Sequence, residues 1–413
     1  MALSFIERFP ALGHPLYRRF WLASFASVGG TQLITLGQGW LIFELTHSAW
    51  LLGVLGAAAS IPNIVMTLGG GVIADRVDRR QILRLTSGLS AVLLAVLAWL
   101  DWQGSIAVWH VLTAAALFSL ITGIDWPARV SLYPRLIDRS AFMSAVALNS
   151  FVWQVSRLAI PAAGGLLIAA TGTATVFALG SLGFLAMFWV VTTLPAQPGN
   201  ATPGSALQDM GEGIAYIATT PLFRTLMLLT FVAMFFGQSY TQLMPVFSTL
   251  LGSGETGYGY LLSAGGLGSV LGTLLVGSVT QHARLGAMML GAAALSALSI
   301  MVFALVAASG SFVAAFAATV AAAAFASCFN VTSMTVLQLS VPDRLRGRVM
   351  GIHSMAFSLM PLGALLLGAL ADLFTATVAV VLSTSIYLLA AGHVSARHAM
   401  IRRLNGTQLR NLT

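Results

Sequence analysis

The segment Gly71-Val72-Ile73-Ala74-Asp75-Arg76-Val77-Asp78-Arg79-Arg80 concentrates charged residues between two long apolar stretches. The stretches that lead into and out of it, 49–74 and 82–101, are each long enough for a helix that crosses a hydrocarbon layer of about 30 Å. The same alternation fills a chain in which 58% of the 413 residues are hydrophobic and 8% are charged. Composition and spacing therefore predict an all-α membrane protein.

Grouping the apolar runs in this way predicts twelve transmembrane helices. The first six run over 20–44, 49–74, 82–101, 105–127, 141–169 and 172–194, and the last six over 221–249, 257–281, 285–308, 311–337, 346–371 and 373–396. A polar stretch separates the two sets. We predict a six-helix bundle at 1–195, a cytoplasmic linker at 196–220, a second six-helix bundle at 221–396 and a cytoplasmic tail at 397–413.

The charged residues of the gaps alternate in sign along the chain. All 20 basic residues are arginine, and nineteen of them lie in every second gap or near the chain ends. The remaining gaps carry Glu44, Asp101, Glu255 and Asp372. By the positive-inside rule the arginine-rich side is cytoplasmic, which predicts that both termini are cytoplasmic. We call the two ends of each span its arginine-rich end and its acidic end.

Several function classes are excluded by residue content. The net charge of +8 comes from arginines between spans, so it indicates membrane topology and no nucleic-acid partner. A chain without lysine has no Walker A or Schiff-base lysine, and its single cysteine, Cys328, cannot form an intramolecular disulfide. No metal site and no cofactor are predicted, and no hydrolase motif is present, so we predict that the chain is not an enzyme.

Short stretches recur between the two halves of the chain. Thr31-Gln32-Leu33 returns as Thr241-Gln242-Leu243, and Trp50-Leu51-Leu52 returns as Tyr260-Leu261-Leu262, each 210 residues later. Matches in order at a constant offset indicate a duplicated six-helix unit. The two bundles are therefore predicted to be pseudo-symmetric.

The opening segment resembles the signature loop of the major facilitator superfamily, Gly-x-x-x-Asp-Arg-x-Gly-Arg-Arg, with Asp78 where glycine is usual. Asp125-Trp126-Pro127-Ala128-Arg129 and Glu212-Gly213-Ile214-Ala215-Tyr216-Ile217 resemble the branch that holds macrolide-efflux and enterobactin-export proteins. The resemblance covers nearly the whole chain. It implies a cytoplasmic gating motif that latches the two halves together, formed by Gly71, Asp75, Arg76, Arg79, Arg80, Asp125 and Arg129.

A second motif lies in the fifth span. Pro161 with Gly164 and Gly165 resembles the helix-packing motif of drug antiporters, although Ile160 stands where that motif has glycine. Such residues bend a helix and let a neighbour approach closely.

Polar residues at membrane depth are candidates for a substrate cavity. Arg157 is the basic residue farthest inside a span, where a guanidinium costs a few kcal/mol unless it faces water or a partner. Either substrate contact or a structural hydrogen-bond hub accounts for it. The predicted cavity residues are Gln32, Gln38, Asn149, Gln154, Arg157, Gln238, Gln242, Asn330 and His353. His353 and Asp125 are also the candidates for carrying protons.

The resemblance implies a secondary active transporter, an antiporter that exports a small amphiphilic drug or siderophore by alternating access and the proton-motive force. It also implies a multi-pass protein of the bacterial inner membrane that functions as a monomer. The expected partners are a small-molecule substrate and the lipid bilayer, with protons as coupling ion left open. Uptake or lysolipid flipping stays open as an alternative, as do a non-transporting sensor and an intramembrane enzyme.

Overall fold

The computed structural model describes residues 9–196, 206–277 and 284–404, and the side chains of these residues except at 67–76 and 206–210. This part of the chain consists of helices and short connections, and it contains no strand. The prediction of an all-α protein is confirmed.

Six long helices fill the first half. They are α1 Pro15–Thr46, α2 Ala49–Arg76, α3 Arg79–Trp102, α4 Val108–Leu132, α5 Phe142–Thr171 and α6 Thr173–Thr192. Asp78 caps α3, because its carboxylate accepts a hydrogen bond of 2.8 Å from the Arg80 backbone N–H. Gly172, with φ 81° and ψ 174°, separates α5 from α6 and has a backbone conformation that is essentially restricted to glycine.

The second half begins with a short linker helix, α7 Ala206–Thr219, and two of its spans are interrupted. The helices that follow are α8 Pro221–Val232, α9 Met244–Leu250, α10 Gly254–Gly277, α11 Leu285–Ala308, α12 Phe312–Ser340, α13 Asp343–Met355, α14 Leu359–Leu373, α15 Ala376–Arg397 and α16 Ala399–Arg403. A π-turn and a 3₁₀ segment join α8 to α9, and a 3₁₀ turn joins α13 to α14.

Eleven segments of the described chain are long and apolar enough to cross a membrane. They correspond to the predicted spans two to twelve, with α8 to α9 and α13 to α14 each counted as one span. The first predicted span corresponds to α1, which has 32 residues but contains polar residues, among them Gln32 and Gln38, that lower its mean hydropathy. The twelve-helix prediction is confirmed, and the protein is a multi-pass membrane protein.

The chain forms two compact units. The first comprises 1–45 and 61–203, and the second comprises 46–60 and 204–413. The border at Ser60 and Ile61 therefore falls inside α2, one residue before Pro62. The division into bundles at 1–195 and 221–396 stays a prediction.

Inside the first unit, α3 packs against α6 and α4. At the acidic end of this helix pair, the Thr173 hydroxyl of α6 donates a hydrogen bond to the Asp101 carboxylate of α3. Glycines allow α1 to approach α6 closely. A methyl group at Gly30 would lie 2.8 Å from the Gly180 carbonyl oxygen, and one at Gly37 would lie 2.7 Å from the Phe177 ring.

Inside the second unit, α11 packs against α12 and α15, which repeats the pairing of α3 with α4 and α6. This recurrence is what a duplicated six-helix unit predicts. The linker helix α7 packs against α13, where Glu212 forms ion pairs with Arg344 and Arg348. These pairs are exposed, so each contributes little stability, about 0–1 kcal/mol.

Candidate functional site

A buried ion pair lies near the arginine-rich end of α4. Arg129 Nε lies 3.0 Å from Asp125 Oδ2, one helical turn earlier, and the side chains are only 6% and 14% exposed. Asp125 Oδ1 accepts a 2.7 Å hydrogen bond from the Thr86 hydroxyl of α3. Arg129 Nη1 donates to the hydroxyls of Ser24, at 3.3 Å, and Ser27, at 3.1 Å, on α1. We call these five residues the carboxylate network.

The carboxylate network joins three helices through one pair of charges. A charge in a low-dielectric interior is tolerated when a partner and hydrogen bonds replace its water. Here both charged groups have each other, and each also has hydroxyl partners from another helix. A change in the charge of Asp125 would therefore alter contacts on α1, α3 and α4 at once.

The gating-motif residues are partly described. The side chains of Gly71, Asp75 and Arg76 lie outside the described residues, so their predicted latch stays a prediction. Arg79 Nε donates a 2.9 Å hydrogen bond to the Ser131 hydroxyl near the end of α4.

Arg80 fastens the arginine-rich end of α6. Its Nε donates to the Val191 carbonyl oxygen at 3.2 Å, and its Nη2 donates to the Thr192 carbonyl oxygen. The last carbonyls of a helix have no partner inside it and carry partial negative charge, which a guanidinium satisfies. Arg79 and Arg80 thus hold α3, α4 and α6 together within the first unit.

Arg157 lies near the middle of α5 and its side chain is exposed. No described residue forms a hydrogen bond or ion pair with it. Asn149, Trp153 and Gln154 share its helix face, because they precede it by eight, four and three residues. The Trp153 ring packs edge-to-face on Trp126 of α4 at 5.3 Å, and its indole N–H has no partner in the described structure. This polar face has hydrogen-bonding capacity left for a ligand.

On α1 the two predicted glutamines differ in burial. Gln32 is half-buried and Gln38 is buried. The Gln38 amide nitrogen has no hydrogen-bond partner among the described residues. A buried donor without a partner costs about 1–3 kcal/mol and needs a ligand, a water or a second conformation.

The seventh span is discontinuous where Gln238 and Gln242 lie. After α8, one π-turn at Ala233–Gly237 and a 3₁₀ segment at Gln238–Leu243 precede α9. The Ser383 hydroxyl donates to the Phe236 carbonyl oxygen at 2.9 Å, and the Ser239 hydroxyl donates to the Phe235 carbonyl oxygen. Discontinuous spans are characteristic of binding sites in transporters, since they expose backbone groups at membrane depth.

Two further predicted residues of the second unit hold unpaired buried atoms. His353 lies near the end of α13, just before the 3₁₀ turn at Ala356–Ser358, and is 3% exposed. Its Nε2 has no partner in the described structure, and neither has Oδ1 of Asn330 on α12. The structure thus places unsatisfied polar atoms in both units, whereas their meeting in one cavity stays a prediction.

The predicted packing motif of α5 lies against α1. Pro161, Gly164 and Gly165 are buried. A methyl group at Gly164 would lie 2.5 Å from Leu36 Cδ2 and 3.1 Å from Leu33 Cδ2. A side chain at position 164 would therefore displace Leu36.

In the second unit, Asp372 at the acidic end of α14 caps the start of α2, which is more than 300 residues earlier in the sequence. Its carboxylate accepts hydrogen bonds from the Ser48 hydroxyl at 2.9 Å and from the backbone N–H groups of Ala49 and Trp50 at 3.0 and 3.2 Å. The Ser48 hydroxyl in turn accepts from the Leu51 N–H at 3.2 Å. The first three N–H groups of α2, which no helix can satisfy internally, thus have partners.

Close packing continues along the same helix pair. Methyl groups at Gly53 and Gly56 would each lie 2.6 Å from a carbonyl oxygen of α14, those of Ala364 and Pro361. This contact was not predicted from the sequence, and neither were the serine and threonine partners of the carboxylate network. The signals available were the glycines at 53 and 56 and the acidic residue at 372, none of which indicates its partner.

No group of three or more metal-ligating side chains occurs within the described ranges.

A family model described as transmembrane secretion effector matches residues 6–410. The staphyloferrin A transporter of Staphylococcus aureus is 24% identical over 368 residues, which cover 86% of this chain and 89% of that protein. The enterobactin exporter EntS of Shigella boydii is 27% identical over 367 residues, which cover 88% and 86%.

Solved structures share the fold. A variant of the nucleoside transporter NupG matches with a TM-score of 0.72 at 13% identity and covers 92% of this chain and 99% of its own. A bacterial homologue of the iron transporter ferroportin, in the inward-facing state, matches with a TM-score of 0.72 at 12% identity and covers 93% and 99%. The family and the relatives are transporters, in agreement with the prediction that the chain is not an enzyme. The chain therefore belongs to the transmembrane secretion effector family of the major facilitator superfamily and is a membrane transporter.

Proposed function

We propose that this transporter is a proton-driven exporter of a small amphiphilic anion, with a siderophore as the first candidate substrate. The observation that carries the proposal is the carboxylate network, in which a carboxylate and a guanidinium are buried together inside a span. Ionisable groups buried within spans are costly, and they mark substrate or proton pathways in membrane proteins.

The carboxylate network supplies a mechanism by which proton binding is coupled to the conformational change of transport. While Asp125 is charged it holds Arg129 and accepts from Thr86. A proton on Asp125 removes the charge attraction to Arg129, which frees the guanidinium to change its contacts on α1. Proton binding and release would thus bias α1, α3 and α4 between two arrangements, as alternating access requires.

The direction and the substrate class rest on relatives and on Arg157. One relative's name specifies export of enterobactin and another specifies transport of staphyloferrin A, so both concern siderophores. Arg157 is an exposed residue without a described partner, and a guanidinium binds carboxylate and similar anions in bidentate geometry. Gln38, Asn330 and His353 offer unpaired buried atoms that would bind further polar groups of the substrate.

In this proposal the protein resides in the bacterial inner membrane as a monomer with both termini cytoplasmic. The residues Gly71, Asp75 and Arg76 latch the halves at the cytoplasmic side, with Arg79 and Arg80 holding the loop to its own bundle. The two bundles rock about a cavity that contains the predicted polar residues.

The test is accumulation of radiolabelled or fluorescent siderophores and amphiphilic dyes in cells that express wild type, Asp125→Asn, Arg157→Ala or Arg224→Ala. Arg224 is the control, an exposed arginine at the start of α8. Wild type and the control should lower accumulation of at least one substrate, and an uncoupler should abolish the effect.

The two site variants separate coupling from binding. Asp125→Asn should lose export driven by the gradient, and Arg157→Ala should lose export of anionic substrates first. Because no described residue pairs with Arg157, its removal should leave expression unchanged. Higher accumulation in wild-type cells would indicate uptake instead, and export that survives the uncoupler would refute proton coupling.

A further inference from the structure

A groove of about 390 Å³ opens between α3 and α6 in the first unit. Gly88 lies at its centre, where the Phe188 ring packs directly against the α3 backbone. A methyl group at Gly88 would lie 3.2 Å from Phe188 Cδ2. Because Gly88 has no side chain, the surface of α3 is recessed at this position, with the Phe188 ring beside it.

The walls of the groove are apolar. Leu85, Leu89 and Val92 are 63%, 47% and 63% exposed and follow one face of α3 at intervals of four and three residues. In a membrane-spanning helix such a face meets lipid chains. The recess at Gly88 adds depth to it, so that an acyl chain lying there contacts α3 and the Phe188 ring.

One end of the groove is polar. Arg84 and Gln81 line it at the arginine-rich end of α3, and both are exposed. The neighbouring arginines already have hydrogen-bond partners. Arg79 donates to the Ser131 hydroxyl, and Arg80 donates to carbonyl oxygens at the end of α6. Arg84, in contrast, has no hydrogen-bond or ion-pair partner in the part of the chain that the structure describes.

The length of the groove matches one membrane leaflet. Arg84 and Val92 are separated by eight residues, which at helical rise is about 12 Å. Half of a hydrocarbon layer of about 30 Å is about 15 Å. A ligand held at Arg84 by its polar group would therefore reach toward the middle of the bilayer with its apolar part.

We propose that this groove is a binding site for an anionic phospholipid of the leaflet at the arginine-rich end. The Arg84 guanidinium binds the phosphate, for which its planar fork is suited, and the Gln81 amide donates to a phosphate or ester oxygen. One acyl chain lies along Leu85, Leu89 and Val92 and over the recess at Gly88. The site is independent of the transported substrate.

Native mass spectrometry of the purified full-length protein tests the site, with dioleoyl phosphatidylglycerol and dioleoyl phosphatidylcholine added in equal amounts. Wild type should retain the first bound phosphatidylglycerol about fivefold more tightly than phosphatidylcholine, the effect of about 1 kcal/mol per arginine at an anionic lipid surface. Arg84→Gln should abolish this preference. Arg224→Gln removes an exposed arginine elsewhere and should preserve it.

A second variant tests the recess. Gly88→Leu fills the recess in the surface of α3 and should weaken binding of both lipids, and size-exclusion chromatography shows whether the variant is folded. Equal binding of the two lipids by wild type, or an equal loss in Arg84→Gln and Arg224→Gln, would overturn the proposal. So would a folded Gly88→Leu that binds phosphatidylglycerol as wild type does. If Gly88→Leu does not fold, the comparison of the two arginine variants decides.

Discussion

Removal of the Asp372 carboxylate should release the start of α2. Asp372→Ala takes away the acceptor for the Ala49 and Trp50 N–H groups and for the Ser48 hydroxyl. Loss of a helix cap costs about 0.5–2 kcal/mol, and loss of a negative charge at a helix N-terminus adds about 0.3–1 kcal/mol. The carboxylate is exposed, so water replaces part of what is lost. We expect Asp372→Ala to lower the free energy of local opening at the start of α2 by about 2 kcal/mol. The local opening equilibrium constant then rises about 25-fold.

Hydrogen–deuterium exchange of the purified protein in detergent measures this opening directly. The amides of Ala49 and Trp50 should exchange about 25-fold faster in Asp372→Ala. Asp372→Asn keeps one acceptor oxygen but loses the charge, so its increase should be smaller, about fivefold for about 1 kcal/mol. The amide of Arg80, which Asp78 caps at the start of α3, should be unaffected.

Glu255→Ala is the matched control, because it also removes one acidic residue, from the first turn of α10. It should leave exchange at 49 and 50 unchanged. The reasoning is refuted if Asp372→Ala raises exchange less than twofold, or if Glu255→Ala raises it equally. An increase of less than twofold in Asp372→Ala would mean that water satisfies the N–H groups of α2 as effectively as the carboxylate. An equal increase in Glu255→Ala would mean that the effect comes from the overall charge.

Three further predictions concern stability in detergent, measured by denaturant or thermal unfolding. Asp125→Ala leaves Arg129 buried without its partner and should lower the free energy of unfolding by about 3–5 kcal/mol. The double variant Asp125→Ala with Arg129→Ala should recover at least half of that loss. No recovery would contradict the ion-pair explanation. Arg80→Gln removes the hydrogen bonds to the end of α6 and should lower the free energy of unfolding by about 2 kcal/mol. The control Arg84→Gln should lower it by less than about 0.5 kcal/mol. Equal losses would show that the hydrogen bonds to α6 do not account for the effect. Gly164→Leu overfills the contact with α1 and should cost about 1–3 kcal/mol, and a wild-type melting curve would contradict the close packing.

The number and positions of the spans were predictable because membrane depth fixes helix length. The predicted span at 285–308 coincides with α11, Leu285–Ala308. The fourth span was expected to end at Pro127, but α4 continues to Leu132. The added turn contains Arg129, whose charge is compensated by Asp125 and by Ser24 and Ser27 of another helix. That compensation is not visible in local sequence.

Contacts between distant residues explain what sequence reasoning could not predict in the candidate site. Asp125 and Arg129 stood out as a motif, but their hydroxyl partners are common residues without a distinctive spacing. The interruption of the seventh span is stabilised by Ser383, which is 147 residues away from the carbonyl that it binds. Asp372 and Ser48 are 324 residues apart. Local propensity gives no indication of either pair.

The location of the unit border inside α2 has a mechanical consequence. Two domains that move against each other are usually joined by loops, which absorb the motion without loss of hydrogen bonds. Here a continuous helix belongs to one unit up to Ser60 and to the other from Ile61. Pro62 lacks the backbone N–H that would brace the helix at that point, so bending there costs less than elsewhere along it. The least braced turn of α2 therefore coincides with the position at which the helix passes from one unit to the other.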